Sequence, residues 1–212
     1  MALEELEQQA RPMTAGVLTF AGIFLWLDVM WLLEPGGMNP EDERIRTSAW
    51  GVVFVWPIAA AALKLHRWNP ARYVDSRTHA RIVYTTGLLA ALLHASVAFH
   101  FGHGWSHAEA FDRTERVSGF GPGVFVNYAF VLVMAAETAW MWRAFDSYIS
   151  RPRWVHRIAI GFLWFVLFNS TVIFGRWPVN LLGLVMLMMP WLAVRLIMGN
   201  VEAEARSQDA LG

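Results

Sequence analysis

The chain contains no cysteine. That removes disulfides, thiolate metal ligands and thiol nucleophiles together, and it restricts any metal site to His, Asp, Glu or Asn. Neither sign of charge is in excess: 17 Lys and Arg balance 17 Asp and Glu, so no overall electrostatic pull toward nucleic acid exists. Charged residues are few altogether, 16% of the chain against 56% hydrophobic, and the mean hydropathy is +0.37. Water-soluble domains usually carry about a quarter charged residues. A Gly-rich phosphate loop, a His-Glu-x-x-His helix, a Gly-x-Ser-x-Gly elbow and a basic stripe interleaved with aromatics are all missing. The opening MALEELEQQARP lacks the basic n-region of a secretory signal, so the first apolar segment is expected to be retained.

Long uncharged runs are what the chain has instead. Six of them, at about 13–33, 47–65, 82–101, 123–142, 158–174 and 179–197, are each long enough to cross a bilayer as a helix. They are apolar all round rather than along one stripe, which separates them from the core helices of soluble bundles. The alternating ten-residue segments of a transmembrane barrel do not occur. Six spans of about 20 residues use most of the sequence. The expected fold is therefore all-α: one transmembrane domain, a polytopic integral membrane helical bundle of about six helices with lipid as its solvent. Partner chains in a membrane complex, or a second copy, remain open.

Orientation follows from Lys and Arg. Twelve fall on the side of the termini and of the links 2–3 and 4–5, and five (Arg44, Arg46, Arg113, Arg116 and Arg176) fall on the other. Both termini are expected in the cytoplasm, with a bacterial plasma membrane as the location. Trp31, Trp50, Trp105 and Trp177 then fall at the outer boundary and Trp68, Trp140, Trp142 and Trp154 at the inner, as amphipathic rings do.

The polar exceptions carry whatever chemistry there is. His94, His100, His103 and His107 lie within fourteen residues, followed by Glu109 and Asp112. If the third helix continues past the membrane edge, His100, His103 and His107 share one face, and His103 and His107 have the i, i+4 spacing by which two helical imidazoles bind one metal ion. Gly102 and Gly104 oppose that continuation. Asp28, His94, Asn127 and Asn169 come from four spans at similar depth below the outer end and form a candidate buried polar layer. Glu34 and Tyr128 would line its mouth. Glu137 lies toward the inner side, with Thr85, Thr86 or Lys64 as expected partners.

Three functions are compatible with these residues. The first is a metal-binding membrane protein or metalloenzyme, with Zn, Cu or Fe on His100, His103 and His107 and with Glu109 or Asp112 as proton acceptor. Haem fits less well, because no other span offers a deep histidine. The second is a small transporter or channel along the polar layer. The third is a structural subunit of a membrane complex. No substrate, small molecule or lipid, can be read from the residues.

Overall fold

The computed structural model describes residues 40–68, 76–174, 177 and 179–209; the first expected span, with Asp28, and Glu34 lie outside them. Among the described residues the chain is helical, with no strand. Its elements are α1 (Pro40–Trp68), α2 (Ser76–Val97, prolonged by a π-helical turn Ala98–Gly102), α3 (His107–Ser118), α4 (Gly123–Arg143), α5 (Phe145–Ser150), α6 (Arg153–Phe168, prolonged by a π-helical turn Asn169–Ile173) and α7 (Val179–Asp209).

Among the described residues five segments are long and apolar enough to cross a membrane: Arg44–Leu65, Ala80–Gly102, Gly123–Arg143, Arg153–Ile173 and Asn180–Gly199. They match the second to sixth expected spans. The helices overrun the apolar runs at polar ends. α1 begins at Pro40, where a missing N–H costs a helix nothing, and acidic residues 41–43 follow in its first turn, where the helix dipole favours them.

α1 is the central element. It packs along α2 on one side and α7 on the other, while α2 also meets α4, α4 meets α6, and the π turn after α6 meets α7. The apolar window of α1 is 71% buried, against 17–33% for the other four. Among the described residues the bundle therefore has one core helix and four whose apolar surface is mostly exposed. Val53, Val55, Trp56 and Ala59 of α1 form the core with Ala80, Tyr84 and Ala91 of α2, Met134 of α4 and Leu163 of α6. Small residues let the backbones approach. A Cβ on Gly87 would sit 3.3 Å from Met134 Cε and 3.7 Å from Val55 Cγ1. Trp56 stands edge-on to Tyr84 (6.5 Å between centroids) and to Trp164 (5.3 Å), and Trp164 meets Trp191 at 6.2 Å. This aromatic chain ties α2, α1, α6 and α7 together.

Hydroxyls inside the helices satisfy themselves. Thr85, Thr86, Thr138 and Thr171 each donate to the carbonyl four residues back, which keeps them compatible with an apolar surround. Trp105, Trp142, Trp154 and Trp177 are exposed near helix ends, as a tryptophan belt requires. Trp50 is not: it is buried. Because α1 starts well before residue 47, position 50 is already inside the packed helix.

Candidate functional site: the histidine end and the buried Glu137 cluster

The histidine segment does not remain helical. α2 widens into its π turn, Gly102 ends it, and His103 leaves the helical region at φ −126° and ψ −1°. Gly104 (φ 53°) and Trp105 (φ 61°) then take left-handed backbone, which is free for Gly and strained for Trp. The Trp105 N–H closes the turn on the Phe99 carbonyl at 3.0 Å. Ser106 caps α3, its Oγ accepting from the Glu109 N–H at 3.3 Å. The cap and the two glycines together stop the helix, so the single face expected for His100, His103 and His107 is corrected to a turn that divides them between two helices. Among the described residues no three His, Asp or Glu side chains gather closely enough to hold one metal ion.

Each histidine has its own setting. His94 Nδ1 is 3.0 Å from Ser48 Oγ of α1. That hydroxyl gives its only proton to the Ile45 carbonyl at 2.9 Å, so the imidazole donates from Nδ1 and keeps Nε2 as its acceptor. His100 is exposed and lies edge-on to Phe101 and Trp105. His103 packs edge-on to Phe99 at 5.3 Å, and its buried Nδ1 has no hydrogen-bond partner among the described residues. Burial, then the neighbouring Arg113 guanidinium, hold His103 below the usual imidazole range. His107, at the first position of α3, has Nδ1 2.9 Å from the Tyr128 hydroxyl of α4. Phe99 and Phe125 surround that pair.

Arg113 locks this end together. It donates to the Gly102 carbonyl at 3.1 Å and pairs with Asp42 of α1. A Cβ on Gly102 would come within 2.7 Å of Ile45 Cδ1, so a side chain there would force the Ile45 side chain of α1 to move. Glu109 is taken up by Arg116 at 2.5 Å. Asp112 is exposed and makes no hydrogen bond or ion pair among the described residues.

The described members of the polar layer do not come together. His94 bonds to Ser48, Asn169 donates to the Phe165 carbonyl of its own helix at 2.7 Å, and Asn127 is exposed. Equal depth along a helix does not fix the angle around it, and these side chains face different directions.

Glu137 is where the sequence expectation needs the largest correction. Its partner is Arg151, from the link between α5 and α6, rather than Thr85, Thr86 or Lys64. The guanidinium is bidentate, with Nη1 on Oε1 and Nη2 on Oε2 at 2.8 Å, and the Tyr148 hydroxyl donates to Oε2 at 2.8 Å. Arg151 also donates to His156 Nδ1 at 2.9 Å. Because a guanidinium only donates, His156 is the neutral Nε2–H tautomer here. Burial alone would lower the Arg151 pKa; the bond to Glu137, together with the electrostatic pull of Tyr148, Glu137 and Tyr84, outweighs it and raises it above the usual arginine value. Burial pushes the Tyr148 phenol up, out of the range in which it ionises. Tyr84, wholly buried, borders the same cluster, with no hydrogen-bond partner for its hydroxyl among the described residues. Lys64 instead lies over the Trp191 ring at 4.5 Å, and Thr85 accepts from Trp142 Nε1 at 2.9 Å.

One signal in the sequence points to the break in the histidine segment: Ser106-His-Ala-Glu109 is a capping box that announces a new helix. Compared with known proteins, the chain matches no family model, no curated protein and no solved structure.

Proposed function

We propose that this chain is an integral protein of a bacterial plasma membrane that crosses the bilayer six times with both termini cytoplasmic. We further propose that it binds a divalent transition metal, Zn, Cu or Fe, at its extracytoplasmic end. The ligands are His103 and His107; His100, the third histidine of the sequence expectation, does not gather with them into a three-ligand group among the described residues. The observation that supports the metal is the state of these two imidazoles. His103 is held neutral, with a buried nitrogen that no described residue satisfies. In the tautomer where His107 donates from Nδ1 to Tyr128, its Nε2 lone pair is free. An imidazole oriented through its second nitrogen is the usual form of a metal-ligating histidine.

Two imidazoles do not close a coordination sphere, and no third ligand joins them among the described residues. An ion held this way keeps positions open for water or a small molecule, as catalytic rather than structural sites do. Asp112 is the carboxylate left free for proton transfer, since Glu109 is engaged by Arg116. The test is elemental analysis with a visible spectrum of the detergent-purified chain. About one metal per chain, lost in the His103→Ala, His107→Ala double variant, is expected. Metal far below one per chain would sink this reading and leave a transporter or a structural subunit, and a Soret band would replace the bare ion with haem.

A further inference from the structure

We infer that the outer face of α6 is a binding site for one anionic phospholipid, with its phosphate on Arg153 and Arg157 and an acyl chain along Trp154, Ile158 and a notch at Gly161. The inference rests on the membrane reading above.

The charge comes first. At this end of the bundle four described arginines are committed to the protein itself. Arg67 donates to the Ile149 carbonyl, Arg77 pairs with Asp146, Arg81 donates to the Met141 carbonyl, and Arg151 holds Glu137. Arg153 and Arg157 are exposed and make no hydrogen bond or ion pair among the described residues. They are one helical turn apart, so both guanidinium groups address one spot on the α6 surface. The contrast lies at the other end, where Arg113 and Arg116 are each neutralised by a carboxylate, Asp42 and Glu109.

The shape comes second. Beside the arginines runs an exposed stripe at helical spacing: Trp154 (66% exposed), Ile158 (64%), Gly161 and Phe165 (60%). A Cβ on Gly161 would meet nothing within 4 Å. The missing side chain is thus not required by any neighbouring helix, and it leaves a shallow recess between Ile158 and Phe165. Trp154 supplies an indole at the level of the arginines, where such rings sit among headgroups. A phosphate diester with a net negative charge satisfies two guanidinium groups bidentately, and an acyl chain below it fills the recess. A zwitterionic headgroup brings its own cation to the same arginines and is disfavoured.

Native mass spectrometry tests this on the full chain in detergent, offered equal amounts of dioleoyl-phosphatidylglycerol and dioleoyl-phosphatidylcholine. The wild-type chain should retain the anionic lipid roughly tenfold better. Arg153→Gln with Arg157→Gln should abolish the preference, and the Lys pair should keep most of it. Arg116→Gln at the other end should leave it unchanged, and Gly161→Leu should weaken retention of both lipids alike. A wild-type chain without preference, or a preference that survives the double Gln variant with unchanged thermal unfolding, overturns the site. Resistance to alkaline carbonate extraction separates the two readings. A chain released by carbonate refutes membrane insertion itself, whereas a resistant chain without lipid preference refutes only this site.

Discussion

The Arg151 guanidinium lies bidentate against the Glu137 carboxylate, with the arginine side chain wholly out of contact with solvent and the carboxylate nearly so. Fourteen residues separate them, and α5 exists to bring them together. Its six residues turn the chain back beneath α4, place Tyr148 as a third contact on the carboxylate, and deliver Arg151 into the bundle. A buried ion pair has small net worth but a high cost of disruption. Arg151→Met or Glu137→Leu alone should lower stability in detergent by about 3–5 kcal/mol, since each leaves a buried charge without its partner. The double variant should recover a large part of the loss. Thermal unfolding of the four members of this double-mutant cycle measures the coupling, and strictly additive losses would refute it.

Tyr148→Phe probes the same cluster with less damage. It removes the hydroxyl that donates to Glu137 Oε2 and receives from Arg151, while the buried ring remains against Trp140. A hydrogen bond to a charged group is worth about 1.5–3 kcal/mol, and the chain should lose that much in the same unfolding assay. A loss within error of zero would mean that the bidentate pair alone holds the carboxylate.

Ser106→Ala should cost about 1 kcal/mol through the lost cap on α3, and should loosen His107 more than His94, which is anchored to Ser48 in α1. Hydrogen exchange across α3 reads the first effect, and imidazole NMR shifts read the second. How much of the molecule was legible in the sequence can be seen around this residue. The long helices follow from run length, because hydrophobicity over 20 residues depends on no particular contact. The break at 102–106 was half visible in Gly102 and Gly104; the capping box at Ser106 completed the signal and decides against one histidine face. The Glu137–Arg151 contact was beyond reach, because it depends on where a six-residue helix aims its last turn. The scattering of Asn127 and Asn169 was beyond reach too, because depth along a helix is countable but azimuth is set by packing.

His103 gives the histidine end a signed dependence on pH. Burial and Arg113 hold its folded pKa below the usual 6.5 or so, so the unfolded chain takes up the proton first as the pH falls. The contribution to stability is complete above about pH 6.5 and is lost between there and the lower folded value. The difference in stability between wild type and His103→Gln should therefore change with pH in that acid window and flatten above neutrality. A difference that stays constant from pH 5 to 8 would refute the assignment.

The absence of cysteine makes orientation directly measurable. Ala108, exposed on α3, and Ala144, exposed between α4 and α5, lie beyond opposite ends of α4. The basic residues concentrate on the side of Ala144, where Arg67, Arg77, Arg81, Arg143, Arg151, Arg153 and Arg157 all belong, and cytoplasmic faces keep such residues. In intact cells a membrane-impermeant maleimide should label Ala108→Cys and leave Ala144→Cys at background until the membrane is opened. Both positions are small, exposed and uninvolved in hydrogen bonds through their side chains, so neither substitution should disturb the fold. Labelling of Ala144→Cys alone would invert the topology, placing the histidine end in the cytoplasm and Arg153 and Arg157 on the outer leaflet. Labelling of both before permeabilisation would mean that α4 does not separate the two compartments, and the membrane crossing of that helix would fall with it.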